Sequence, residues 1–452
     1  MIVVAGTGSG VGKTSLALGI VASLKRRGLK VQTFKVGPDY LDPTYLARAS
    51  GRPCYNLDGW MTSREYVEQL VAEKVQDADA AVVEGVMGLY DGANAADSAG
   101  STAQIARWLE APVLLVVNAH GASRSFAAVV HGFATFPDAP RVAGVIANHT
   151  GSARHVDGIR QALAGAGLPP LIGALPRNGL PPLPGRHLGL LTADDQTLTD
   201  ATLAELADAC EHNVDFDSIL SLKWSPHACV PRHGPAAAVV RVGVAVDEAF
   251  HFYYRDNMER LEQAGVAWVP FSPVSDRELP AGIHALWLGG GYPEEHAARL
   301  SGNESMRRSV AGFIREGHPV YAECGGLMYL AENVSDRAGK TWAMAGVLPV
   351  HIRMLPKLKR LGYAAVGLRA GCLWGPAGGS LRGHEFHYSE IAGDAVPEGW
   401  RCAYDVAYRD GTTRQEGFWN GRVLASYVHI HLGSSPALAG TFVAFLKGAQ
   451  AL

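Results

Sequence analysis

Cysteine is scarce: six among 452 residues, widely spaced and without a CxxC pair. That excludes a disulfide framework and the common zinc-site patterns. Long apolar runs are absent too. The longest purely aliphatic stretch, Val113 to Val117, is far short of the roughly 20 residues a spanning helix needs. Nor is there an excess of either charge. A net charge of −3 gives no general attraction to nucleic acid or to an anionic membrane. Any anionic substrate must therefore meet a local cluster of Arg and Lys. Met1 leads straight into a core-like strand with no signal-peptide pattern, so the expected compartment is the cytoplasm.

What is present fits a soluble globular protein, with 48% hydrophobic and 18% charged residues. A chain of this length exceeds one ordinary core and predicts two domains, over 1–225 and 238–452. In the first, strands are predicted at Val31–Val36, Ala80–Val83, Val113–Val117 and Val142–Ala147. Helices are predicted near Thr14–Arg27, Arg64–Val75, Ser101–Leu109, Ser123–Thr135, Arg154–Ala166 and Thr199–Cys210. The alternation implies a parallel α/β sheet with helices on both faces. Periodicity lapses from Trp224 to Pro235, the predicted linker. It resumes with a strand at Val239–Val246, a helix near Tyr254–Gln263 and a strand at Val266–Phe271.

The first chemical signal is Gly6-Thr7-Gly8-Ser9-Gly10-Val11-Gly12-Lys13-Thr14, set between an apolar strand and a helical pattern. Small residues let backbone N–H groups turn toward an anion, and the helix N-terminus adds partial positive charge. Lys13 is placed to reach terminal phosphates and Thr14 to take a position on Mg²⁺. Gly8, Gly10, Gly12, Lys13, Thr14 and Ser15 are the candidate ATP-binding residues. The strict P-loop pattern has Gly where this chain has Thr7. The longer form seen here resembles that of dethiobiotin synthetase and the partition ATPases.

Ligands in such sheets gather beyond the carboxyl ends of the strands. One predicted strand ends in Lys35-Val36-Gly37-Pro38-Asp39-Tyr40-Leu41-Asp42-Pro43 and another in Glu84-Gly85-Val86-Met87-Gly88-Leu89-Tyr90-Asp91. Asp39 and Asp42 are reasonable turn and helix-cap residues. With Glu84 and Asp91 they also predict four acids facing the P-loop, suited to one or two Mg²⁺ ions beside ATP phosphates. Glu84 stands where P-loop ATPases hold Mg²⁺, with Thr14 as the other candidate ligand. Asn148, at a later strand end, is equally suited to contact adenine or to cap the next helix. The Pro- and Gly-rich stretch from Leu175 to Leu188 is expected to be a loop near the nucleotide.

In the second half, Leu286-Trp287-Leu288 runs into Gly289-Gly290-Gly291, whose N–H groups suit an oxyanion. Pro319-Val320-Tyr321-Ala322-Glu323-Cys324-Gly325-Gly326 predicts a strand ending in a sharp nucleophile elbow with sulfur as nucleophile. The following helix N-terminus is expected to lower the thiol pKa. A buried, unreactive role suits Cys54 and Cys210 better. Its base is left open among His429 and His431, which share a face of one extended segment, and the histidines of Gly383–Ser389. Lys357, Lys359 and Arg360 form a basic cluster that reads best as a solvated loop.

Along nearly its whole length the chain resembles the cobyrinate or hydrogenobyrinate a,c-diamide synthase family. The carrying segments are GTGSGVGKTS, FKVGPDYLDPTYL, VVEGVMGLYDG, LWLGGGYPE, YAECGGLMYL, GHEFHYSE and ASYVHIHLGSSP. The resemblance implies a dethiobiotin-synthetase-like P-loop domain followed by a class I glutaminase domain of the Cys-His type. It implies Cys324 as nucleophile, His429 as its activating histidine, and Gly290 and Gly291 at the oxyanion. Asp39, Tyr40, Leu41, Asp42, Glu84 and Asp91 match positions tied to corrinoid binding or activation. The implied substrates are ATP, L-glutamine and a corrinoid polycarboxylate, with Mg²⁺; a homodimer is compatible with it. Other class I glutaminases place Glu two residues after the histidine, where this chain has His431. A dyad, or a third partner from elsewhere, is therefore expected. Sibling readings are cobyric acid synthase and nickel-sirohydrochlorin a,c-diamide synthase; a partition-type ATPase is the distant one.

Overall fold

The structure, a computed structural model, describes residues 1–183, 198–227, 239–393 and 396–450. The chain divides into two compact units, Met1–Pro231 and Arg232–Leu452. In the first, strands and helices alternate: β1 Ile2–Gly6, α1 Lys13–Arg26, β2 Val31–Val36, α2 Asp42–Ser50, β3 Cys54–Leu57, α3 Arg64–Lys74 and β4 Ala80–Glu84. Then come α4 Thr102–Trp108, β5 Val113–Asn118, α5 Arg124–Thr135, β6 Val142–Thr150, α6 Ala153–Gly165, β7 Leu171–Pro176, α7 Asp200–Asn213 and α8 Phe216–Leu220.

The seven strands form one parallel sheet in the order β3-β2-β4-β1-β5-β6-β7. Both faces are apolar, so these strands read as runs rather than alternations. Ile2 and Val4 pack with α1 and α7 on one side, and Val3 and Ala5 with α3, α4 and α5 on the other. Ser63, Ser101, Ser152 and Thr199 cap α3, α4, α6 and α7 through their hydroxyls.

Three elements depart from the sequence expectation. β3 and α2 are short, and neither is long enough to show a period. β7 includes Leu175 and Pro176, assigned above to a loop; Thr150 Oγ1 donates to Leu175 O at 3.0 Å and holds that strand end against β6. The rest of that predicted loop, from Pro184, and most of the predicted linker lie outside the described residues.

The second unit runs β8 Val240–Ala245, α9 Arg255–Gln263, β9 Val266–Phe271, β10 Ala285–Leu288, α10 Ala297–Gly302, α11 Glu304–Arg315, β11 Val320–Glu323, α12 Gly325–Leu330 and β12 Ala331–Ser335. It continues with β13 Thr341–Ala343, β14 Leu348–Met354, β15 Arg360–Leu368, β16 Ser380–His387, β17 Ser389–Ile391, β18 Arg401–Tyr408, β19 Thr413–Trp419, β20 Val423–Ser426, β21 His429–Ile430 and α13 Leu438–Gln450. Ten strands make a mixed sheet, β21-β16-β15-β18-β19-β20-β11-β10-β8-β9, whose core β20-β11-β10-β8-β9 is parallel. A smaller sheet orders as β13-β12-β14-β17.

The strand predicted through Val428 stops at Ser426. Glu416 Oε1 accepts the Tyr427 N–H at 2.7 Å, and Ser426 Oγ accepts the Val428 N–H at 3.0 Å. These side chains take N–H groups that a ladder would use. The chain therefore leaves β20 and rejoins the sheet beside β16 as β21.

Candidate active sites

In the first unit the loop between β1 and α1 closes on itself. Gly12 holds φ of 95°, a left-handed conformation natural to glycine, immediately before the helix. Lys13 Nζ donates to Gly8 O at 2.8 Å, curling over the loop. Asn148 is buried beneath it. Its Nδ2 donates to Val11 O at 2.9 Å, and its Oδ1 accepts the His149 N–H at 2.9 Å. A Cβ on Gly12 would stand 2.4 Å from that same Nδ2. Asn148 therefore braces the phosphate loop. It does not cap the next helix, a task Ser152 performs.

The acids meet around a residue the sequence reading passed over. Lys35, at the end of β2, is buried, with Nζ 2.7 Å from Asp42 Oδ2, 3.1 Å from Glu84 Oε1 and 4.0 Å from Asp39 Oδ2. Burial opposes its charge, but Glu84, Asp42 and Asp39 outweigh that and hold its pKa above the ordinary lysine value. A cation of the protein thus sits among three of the four expected acids, and Asp91, exposed, closes its own turn by accepting the Gly88 N–H at 2.8 Å. Capping also falls differently from expectation. Asp39 Oδ1 accepts the N–H groups of Leu41 and Asp42 at 2.8 and 3.0 Å, whereas Asp42 turns its carboxylate to Lys35. Tyr40 and Leu41 lie half-buried on the same turn.

Thr14 Oγ1 donates to Glu84 Oε1, so two hard oxygens already meet beside the phosphate loop. That donor chemistry fits Mg²⁺. Among the described residues no group of three or more His, Cys, Asp or Glu side chains is arranged to hold a metal alone. An ion here would take its remaining ligands from phosphate and water.

In the second unit the elbow is present. Cys324 follows β11 directly and precedes α12, with φ of 47° and ψ of −98°, a strained conformation for a side-chain-bearing residue. Its N–H donates to Ser426 O at 2.7 Å, tying the turn to β20. The glycines allow the packing around it: a Cβ on Gly326 would stand 2.2 Å from Leu288 O, and one on Gly325 3.1 Å from Gly291 N. Gly291 has φ of 154°, and a Cβ there would strike Ala249 O. The Gly290 carbonyl accepts the N–H groups of His251 and Phe252 at 3.0 and 3.1 Å, fixing the turn.

His429 is buried against this turn. Its Cε1 and Nε2 lie 2.4 and 3.3 Å from where a Cβ on Gly290 would stand. Elbow, glycine turn and imidazole are thus brought together at the ends of β10, β11 and β21. The other histidines are committed elsewhere. His431 sits with Nε2 3.5 Å from Asp256 Oδ2 and packs on Tyr254. His387 pairs with Glu385 at 3.3 Å, and Tyr254 and His384 share a hydrogen bond of 2.9 Å.

The expected low thiol pKa is not met. Burial, then the charges of Glu294 and Glu385, push the Cys324 thiol up, and the Gly325 N–H opposes them only partly. The proton must therefore leave Cys324 together with its transfer to a base. Cys54 and Cys210 are buried, and burial likewise raises their thiols, that of Cys210 to about 12.

Two family models match the chain. Residues 2–189 match a CobQ/CobB/MinD/ParA nucleotide binding domain, and residues 241–437 a CobB/CobQ-like glutamine amidotransferase domain. The cobyrinate a,c-diamide synthase of Syntrophotalea carbinolica is 55% identical, covering 99% of this chain and 98% of its own length. That of Dehalococcoides mccartyi is 40% identical over 99% and 98%, and that of Salmonella typhimurium 40% over 96% and 96%.

The chain belongs to the cobyrinate a,c-diamide synthase family.

Its pairing of a nucleotide-binding domain with a glutamine amidotransferase domain is that of an amidating ligase. Within this member of the family, Lys359 and Arg360 pair with Glu390 and Asp410 at 2.9 and 3.3 Å on the surface, as a solvated cluster does. No helix among the described residues is long and apolar enough to cross a membrane. Lys35 was the residue at the acid cluster that the sequence reading missed. Lys35 was quoted as part of its motif, but a lone lysine at a strand end looks like any solvated one. Its signal was the three acids converging on the same place.

Proposed function

We propose that the enzyme amidates the a and c carboxylates of hydrogenobyrinate or cobyrinate, using ATP to activate each acid and glutamine to supply nitrogen. The observation that carries this reading is the coexistence of two sites: a phosphate loop beside Lys35, Asp42 and Glu84, and an elbow cysteine meeting His429 and a glycine turn.

A carboxylate resists attack by ammonia because oxide is a poor leaving group. A carboxylate oxygen of the ring attacks the γ-phosphorus of ATP and ADP departs, giving an acyl phosphate. Lys13 and the loop N–H groups stabilise the charge on the transferring group. Ammonia then attacks the acyl carbon, phosphate leaves, and an amide remains. Lys35, held charged by its acids, lies at this strand end with Asp42 and Asp39, which we assign with Tyr40, Leu41 and Asp91 to the ring substrate. When bound, Mg²⁺ held by Thr14 and Glu84 would neutralise phosphate charge.

Nitrogen is released in the second unit. The Cys324 proton passes to His429 as Sγ attacks the glutamine carboxamide carbon, and the Gly290–Gly291 turn receives the oxyanion. His429 returns that proton to the departing nitrogen, giving ammonia and a thioester. Water then hydrolyses the thioester, and glutamate leaves. Purified enzyme given ATP, Mg²⁺, glutamine and each acid should yield product two amides richer by mass spectrometry. Running cobalt-loaded and metal-free rings side by side identifies the substrate, and no amide on either would overturn the reading.

A further inference from the structure

We infer that Glu323 is the positioning residue for His429, supplying from the strand before the nucleophile the carboxylate that this chain lacks two residues after the histidine. The inference rests on the assignment of Cys324 and His429 made above. Glu323 is the last residue of β11 and is buried. Its Oε1 accepts two hydrogen bonds, from Tyr321 Oη at 2.7 Å and from the Ile430 N–H at 3.1 Å. The second ties the carboxylate to the residue that follows His429. The other oxygen, Oε2, is left 3.8 Å from His429 Nδ1.

The imidazole is thereby oriented from both edges. Its Nε2 and Cε1 face the Gly290 turn, while Nδ1 faces Glu323. A carboxylate at Nδ1 favours the tautomer with the proton there, leaving Nε2 free to take the thiol proton. The separation of 3.8 Å is that of an ion pair. Such pairs tighten into hydrogen bonds when substrate engages the site.

Across the sheet His384 stacks on His429, with ring centroids 5.0 Å apart. Burial first, and then the neighbouring His429 and His431, hold His384 well below the usual histidine range, so it stays neutral. Tyr254, from the start of α9, shares a hydrogen bond with His384, and His431 is turned to Asp256. On the other edge the Gly290–Gly291 turn lies between His429 and the Cys324 elbow. Glu323 is the acid of β11 placed to stabilise the imidazolium that forms when Cys324 loses its proton.

Glu323→Gln keeps an oxygen for Tyr321 and Ile430 but presents a neutral amide to Nδ1. Glutamate release from glutamine is measured against pH, alongside amidation driven by ammonium chloride. The expected result is a kcat for glutamine hydrolysis lower by about 10²-fold, with KM for glutamine unchanged. The acidic limb of the kcat/KM profile, where protonation of the base shuts the reaction off, should move to lower pH, because the imidazolium has lost its stabilising charge. Ammonium-driven amidation should continue at the wild-type rate. A wild-type kcat and profile in Glu323→Gln would overturn the inference. So would loss of both activities together with wild-type behaviour of Tyr321→Phe, which removes one anchor of the carboxylate. Glutamate release that persists in Cys324→Ala would instead overturn the underlying assignment of the nucleophile.

Discussion

Lys35 Nζ lies 3.1 Å from Glu84 Oε1, and both side chains are buried at the carboxyl end of the first sheet. The same Glu84 oxygen accepts from Thr14, the residue after the P-loop lysine. One carboxylate thus joins the phosphate loop to the turn carrying Asp39 and Asp42. Under the proposed function, nucleotide chemistry and acid recognition would share this charged centre.

That centre makes a prediction about stability. Lys35→Met leaves Asp42 and Glu84 buried without their cation. Breaking a buried ion pair from one side costs about 3–5 kcal/mol. Thermal unfolding of the first unit should begin at a markedly lower temperature, and an unchanged midpoint would show that the charge is dispensable.

Asp39 gives the pH dependence. Burial, then the neighbouring Asp42, raise its pKa to about 6, against the lowering influence of Lys35 and two backbone N–H groups. A raised acid pKa means the folded state holds its proton more tightly than the unfolded chain does. The resulting stability is complete below the unfolded value, near 3.8, and is lost as pH rises through about 6. Asp39→Asn removes that loss. Its stability gain over wild type should be small at pH 4 and grow to about 1 kcal/mol by pH 8. Melting curves across that range check it; a gain independent of pH contradicts it.

Lys13→Ala removes the side chain that curls over the phosphate loop. Amidation should fall by at least about 10²-fold whether glutamine or ammonium supplies nitrogen, while glutamate release persists. Undiminished amidation would take the P-loop out of the chemistry.

Asp42→Asn should leave glutamine hydrolysis intact and slow amidation roughly 10-fold, on the order of 1.4 kcal/mol. Paired assays of glutamate and amide formation separate the two. An unchanged amidation rate would return Asp42 to a structural partner of Lys35.

Much of this was legible before the fold was known. β1, the phosphate loop and α1 follow from an apolar run, glycines and a helical period in immediate succession. The Cys324 elbow follows from a strand running into Gly325 and Gly326. What stayed hidden depends on residues far apart in the chain. Lys35 gains meaning only when β4 brings Glu84 beside β2. Asn148 looked equally like a cap until the sheet placed it under Gly12 and Ser152 took the helix end. His431 appeared equivalent to His429 by alternation, and only the fold gives them different carboxylates, Asp256 for His431 and Glu323 for His429. The thiol pKa was misjudged because local sequence shows the helix N-terminus but not the burial or the carboxylates of Glu294 and Glu385.

The coupling of the two chemistries is tested most directly with Cys324→Ala, assayed for amide formation with glutamine and again with ammonium chloride at pH 8 to 9. The account predicts no amide above background from glutamine and near wild-type amide from ammonium. Amidation that fails with both nitrogen sources in a folded variant, or that survives with glutamine, would contradict it.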